Sequence, residues 1–147
     1  MQSEEMLASL IEFPTVAETS NAALIDFIRH YLAKHNVTAQ IIAGPEQDRF
    51  NLFATIGPAD TPGFVLSGHL DVVPAGELGW RADPFKLRRE NGCLIGRGAV
   101  DMKGYVAAVL SAVPQLIGMG LKQPLHIALS YDEEVGCRGV PYLIEKL

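Results

Sequence analysis

The sequence predicts an α/β fold: a mixed β-sheet flanked by helices. Three observations lead there. Short apolar runs alternate with stretches of helical period along the 147 residues. The first apolar runs follow one another with no helical stretch between them, so they are not all joined by parallel crossovers. The balance of 48% hydrophobic to 20% charged residues is that of a globular chain, and its length allows a core without disulfides or metals to hold it.

The elements read in order. Met6, Leu7, Leu10 and Ile11 have helical spacing within Ser3–Phe13, with Ser3 as a candidate cap and Pro14 as the stop. A second helix starts after Thr19-Ser20-Asn21, with Leu24, Phe27, Ile28, Tyr31 and Leu32 as its core stripe. His30 and His35 fall on its polar side or end and read as solvated. Val37–Ile42 and Phe50–Ile56 are β-like, and Gly63–Ser67 reads as a short buried strand. Pro74–Asn91 is rich in turn formers, so it is a long loop or contains a hairpin; Cys93–Ile95 is another short strand. Asp101 to about Leu116 is apolar nearly all round and is expected to be a buried helix with a broken end. Leu125–Ser130 is a strand carrying His126, which reads as a core or hydrogen-bonded histidine. Gly139–Leu147 begins a helix with Pro141 in its first turn.

Twelve basic against 17 acidic residues give a net charge of −5, which excludes a basic nucleic-acid footprint. The uncharged stretch Gly104–Leu121 is long enough to span a bilayer, but its Pro, Gly, Ser and Gln content favours a soluble helix, so no membrane partner is expected. Cys93 and Cys137 form no CxxC pair, and the N-terminus lacks the positive region of a secretory signal. Both point to a cytoplasmic protein with reduced thiols.

Three clusters carry chemistry at or beyond strand ends, where ligands gather in open α/β sheets. In Ser67-Gly68-His69-Leu70-Asp71, the histidine and aspartate lie two apart and share a face in extended chain; a carboxylate beside a histidine fixes its tautomer. A surface turn is the bland alternative. In Gly96-Arg97-Gly98-Ala99-Val100-Asp101, the glycines imply tight backbone before a helix, without the spacing of a phosphate loop. There an N-cap is the bland reading of Asp101. In Tyr131-Asp132-Glu133-Glu134, acids emerge directly from an apolar strand, and neighbouring side chains can take different roles. One imidazole with several carboxylates suits zinc or another borderline divalent ion. Asp101, with two oxygens, can bridge two such ions, while a free carboxylate serves as general base. Cys137 has no orienting partner that would mark it as a nucleophile, and Trp80 reads as packing or loop anchoring.

These clusters, with Asp83-Pro84-Phe85 and Met102-Lys103-Gly104, resemble the dinuclear-zinc amidohydrolase and aminopeptidase family that includes carboxypeptidase G2, aminoacylase and succinyl-diaminopimelate desuccinylase. The run Ser130–Cys137 favours its acetylornithine branch. The resemblance covers nearly the whole chain. It implies that residues 1–147 are the N-terminal part of a zinc-peptidase-like catalytic domain. It also implies two divalent metal ions, zinc or cobalt, with His69, Asp101 and Glu134 as ligands. Asp101 would bridge them and precede a cis peptide, Asp71 would orient His69, and Glu133 would be the general base. The implied reaction is hydrolysis of N2-acetyl-L-ornithine in arginine biosynthesis, on a small-molecule substrate and by a homodimer. The family's further acidic and histidine ligands and its dimerisation or lid domain have no counterpart before Leu147. The chain by itself is therefore expected to be an incomplete, inactive part that binds metal weakly or not at all. The alternatives are a non-catalytic module, or part of a related desuccinylase or dipeptidase.

Overall fold

The structure is a computed structural model that describes residues 1–76 and 79–147; the Pro74–Asn91 loop reading lies outside the described residues at positions 77 and 78. The elements are α1 (Ser3–Ile11), α2 (Ala22–Lys34), β1 (Ala39–Ala43), β2 (Phe50–Ile56), β3 (Phe64–His69), β4 (Arg88–Glu90), β5 (Cys93–Ile95), α3 (Lys103–Gly118), β6 (Leu125–Ser130) and α4 (Val140–Ile144). β4 and β5 form a small antiparallel hairpin, which resolves the end of the long turn-rich segment.

The main sheet has the order β1-β2-β6-β3. It is mixed, as expected: β1/β2 and β2/β6 are antiparallel, and β3/β6 is parallel. Alternation along β2 and β6 divides the core between the two faces. Leu52, Ala54, Ile56, Ile127 and Leu129 join the apolar stripes of α1, α2 and α3. Phe53 and Ala128 face the other way, toward Ile42 and Leu143 of α4. Among the described residues, no helix is long and apolar enough to cross a membrane.

Three local readings need correction. Gln2, not Ser3, precedes α1: its backbone N–H donates to Glu5 at 2.9 Å, and the Ser3 hydroxyl instead meets Ser111 of α3 at 2.8 Å. The strand expected to be buried at Gly63–Ser67 is an edge strand of the described sheet. Phe64 and Val65 are 69% and 53% exposed, and burial begins only at Gly68 and His69. Helix α3 starts after Asp101 and is buried on one face, through Val106, Ala107, Val109, Leu110 and Val113; Tyr105, Ile117 and Met119 are exposed.

Pro114 lies inside α3, within the span read as helical to about Leu116. Proline has no N–H, so the carbonyl of Leu110 lacks its helical donor. The Tyr31 hydroxyl of α2 supplies one, donating to that carbonyl at 3.0 Å. Tyr31→Phe is expected to lower stability by about 1–2 kcal/mol in urea denaturation. The loss should shrink in a Pro114→Ala background, where the restored N–H takes over; equal losses in both backgrounds would refute the pairing.

Candidate functional site

The parallel pair β3/β6 brings two of the three clusters together. Its last register pair is His69 with Ser130, and the Leu70 N–H extends the ladder to the Ser130 carbonyl at 2.9 Å. Beyond that point both segments stay buried, through Leu70–Val72 and Tyr131–Asp132, and carry their polar residues past the end of the ladder. The third cluster arrives from the loop before α3. Gly98 makes that approach possible: its φ is +82°, and a Cβ there would stand 2.7 Å from Val72 Cγ1. The Lys103 N–H then closes the turn on the Gly98 carbonyl at 2.8 Å.

His69 is buried, and its Nδ1 lies 2.9 Å from the Asp71 backbone carbonyl. The Asp71 carboxylate is farther, at 3.4 Å. Nδ1 thus faces both the carbonyl and the carboxylate of Asp71, the carbonyl being the nearer. The carboxylate has another occupation: its two oxygens accept the backbone N–H groups of Glu133 and Glu134, each at 3.0 Å. Burial by itself would raise the Asp71 carboxyl; the hydrogen bonds from His69 and these two amides outweigh it and hold the group below its usual range.

Asp101 does not cap α3. Met102 occupies the N-cap position, and the peptide joining Asp101 to Met102 is cis, as the resemblance implied. The Asp101 carboxylate, 72% exposed, reaches His69 Nε2 at 3.0 Å, and Glu133 approaches the same nitrogen at 3.7 Å. His69, Asp101 and Glu134 each offer a ligand atom, all within 4.8 Å of one another. Burial, then the Asp101 charge, push the Glu134 carboxyl upward. Three carboxylates around one imidazole leave excess negative charge in one place, and the borderline nitrogen and hard oxygens fit a divalent transition ion.

Lys103 was singled out only as part of a motif. It is fully buried, and its Nζ donates to the Leu10 and Phe13 carbonyls at 3.0 and 2.7 Å, at and just beyond the end of α1. Burial lowers its pKa to about 8, against the pull of Asp71. A lysine directly before an apolar helical stretch gives little sign in the sequence that it is internal. The histidines outside the site are bland, as read: His126 meets Thr55 Oγ1 at 2.9 Å and stacks on Phe53, His30 meets the Asp26 carbonyl, and His35 packs against Tyr31. Trp80 anchors its loop beneath the Arg97 guanidinium, 5.2 Å away. Cys93 and Cys137 are free and exposed.

Residues 65–147 match the model of the family described as Peptidase family M20/M25/M40. The acetylornithine deacetylase of Buchnera aphidicola subsp. Schizaphis graminum (strain Sg) is 36% identical over 93% of this chain and 37% of its own length. That of Proteus mirabilis (strain HI4320) is 37% identical over 94% and 37%. The chain therefore spans little more than a third of these curated relatives. Among solved structures, the M20 family metallo-carboxypeptidase Sso-CP2 from Sulfolobus solfataricus shares the fold with a TM-score of 0.85 at 22% identity, over 99% of this chain and 34% of that one. Human carnosine dipeptidase 1 does so with a TM-score of 0.79 at 23% identity, over 98% and 34%.

Burial disfavours the His69 imidazolium, but the hydrogen bonds to Asp71 and Asp101 prevail and raise its pKa from 6.5 to about 9. The folded state then holds this proton more tightly than the unfolded one. Its stabilisation is complete below pH 6.5 and is lost as the pH rises through about 9. In chelator-treated protein, unfolding free energy should decline across that window, and His69→Gln should flatten the decline. An unchanged slope in the variant would assign the titration elsewhere.

Proposed function

Because the chain belongs to the peptidase family M20/M25/M40, we propose that it forms the N-terminal part of the catalytic domain of a metal-dependent amide hydrolase. The reaction is removal of the acetyl group from N2-acetyl-L-ornithine. The observation that carries the hydrolase reading is the convergence of His69, Asp101 and Glu134 at the ends of β3 and β6, with Glu133 beside them. The acetylornithine deacetylase relatives, at 33–37% identity, support the substrate.

In this reading His69, Asp101 and Glu134 would hold two divalent ions, zinc or cobalt. When bound, such ions polarise an amide carbonyl and acidify water. The Asp71 carbonyl accepts a hydrogen bond from the His69 Nδ1–H, which would leave the Nε2 lone pair free for coordination. Glu133 accepts the proton of the attacking water and returns it to the leaving amine, so that water and amide become acetate and ornithine. Asp71, through the amides of Glu133 and Glu134, keeps base and ligand in register. The remaining ligands and a dimerisation or lid domain lie in sequence beyond residues 1–147, and the complete enzyme is a cytoplasmic homodimer serving arginine biosynthesis.

Four outcomes test this. The complete enzyme should hydrolyse N2-acetyl-L-ornithine and lose activity on chelation, while residues 1–147 alone should not turn over. Glu133→Ala should keep the metal content and lower kcat by about 100-fold or more. Glu134→Ala should lose metal by elemental analysis; metal loss in Glu133→Ala instead would mean that the two roles are exchanged. Faster cleavage of N-succinyl-diaminopimelate than of acetylornithine would reject the substrate.

A further inference from the structure

Asp132 precedes the two glutamates and has no part in the chemistry above, yet it is 1% exposed and carries an acid into the interior. Its Oδ1 accepts the Glu18 N–H at 2.8 Å, and its Oδ2 accepts Arg49 Nη1 at 2.6 Å. Arg49 stands just before β2 and also reaches Asp48 at 3.4 Å and Glu46 at 3.9 Å. The Glu18 side chain pairs with Arg138, on the far side of the same loop, at 2.6 Å. The backbone of Asp132 is left-handed, with φ +53°, so the chain leaves the direction of β6 at this residue. The next two N–H groups are those held by Asp71.

The pair is not needed to join β2 to β6. Those strands are already bonded from Leu52↔Leu129 to Ile56↔Leu125, and Asn51 Nδ2 donates to the Gly139 carbonyl at 2.9 Å. The Arg49–Asp132 contact lies past the end of this ladder, at the root of the loop that carries Glu133 and Glu134. The loop closes on itself through Arg138 N–H to the Asp132 carbonyl and Gly139 N–H to the Tyr131 carbonyl. What the buried acid adds is therefore the direction in which the loop departs.

We propose that Asp132, clamped by Arg49 and the Glu18 amide, is a positioning residue that holds Glu133 and Glu134 in their place beside His69 and Asp101. This rests on the hydrolase reading of those glutamates and assigns a role to two residues outside it. The clamp grips the loop at the residue just before the two amides that Asp71 holds, so the two carboxylates together restrain three successive residues. Chemistry that needs a base and a ligand in fixed relation is sensitive to such support.

The test is residue-resolved amide exchange by NMR on residues 1–147 with Arg49→Met, Asp132→Asn and Arg49→Lys, and kinetics of the same variants in the complete enzyme. Asp132→Asn keeps the size and one acceptor, which guards against a variant that fails to fold. In Arg49→Met and Asp132→Asn, the amides of Glu133 and Glu134 should exchange at least about tenfold faster than in the wild type, while those of Ile127 and Leu129 stay unchanged; Arg49→Lys should recover part of the protection. In the enzyme, kcat should fall by about tenfold or more with KM held within about twofold. Unchanged exchange, or a uniform rise across β6, would overturn the clamp, as would full kcat in the variants of an active enzyme. A wild-type enzyme that hydrolyses no N-acyl amino acid would overturn the hydrolase reading instead.

Discussion

The site depends on one buried carboxylate. Asp71 sits where β3 ends, and its two oxygens take the N–H groups of the residues that follow β6, while its own carbonyl takes His69 Nδ1. A parallel strand pair cannot by itself fix the loops that leave it, because the ladder stops at His69 and Ser130. Asp71 continues the cross-link beyond that point with charge-assisted hydrogen bonds, which are stronger than neutral ones. The imidazole and both glutamates are thereby referred to a single group.

Other contacts bring the surrounding chain to this link. The segment between α1 and α2 runs alongside it: Thr15 Oγ1 donates to the Leu70 carbonyl at 2.6 Å, and the Val72 N–H donates to the Thr15 carbonyl at 3.0 Å. The same segment offers the Glu18 N–H to Asp132. Lys103 ties the start of α3 to the end of α1 and so fixes the helix that follows Asp101. A buried ammonium is costly unless its hydrogen bonds are met, and here two carbonyls meet them. Scaffold and site are thus built from the same polar groups, most of them internal.

Much of this was legible in residue order. The period of Leu24, Ile28, Tyr31 and Leu32 marks a core-facing helix stripe, and Phe50–Ile56 is a strand between the same bounds in sequence and structure. His69, Asp71, Asp101, Glu133 and Glu134 stand in three runs whose residue types already suggest metal chemistry, and the structure gathers them at one end of the sheet. What failed was reading burial from apolarity. Phe64 and Val65 are apolar and exposed because β3 lies at the edge of the described sheet. Lys103 and Asp132 are charged and buried because their partners lie far off in the chain: Leu10 and Phe13 for one, Glu18 and Arg49 for the other. No local pattern records such pairings.

The sequence by itself determined the element types, the mixed character of the sheet and the candidate metal-binding and base residues, since each follows from local period, turn chemistry or side-chain ligand preference. Only the tertiary structure decided what each polar atom does. It gave the Asp71 carboxylate two amides in addition to the histidine, took Asp101 off the helix cap, and supplied Leu110 with a hydroxyl where Pro114 has no N–H. The physical reason is that a buried donor or acceptor must find a partner wherever the fold places one, and those partners are fixed by the packing of distant segments rather than by neighbours in the chain.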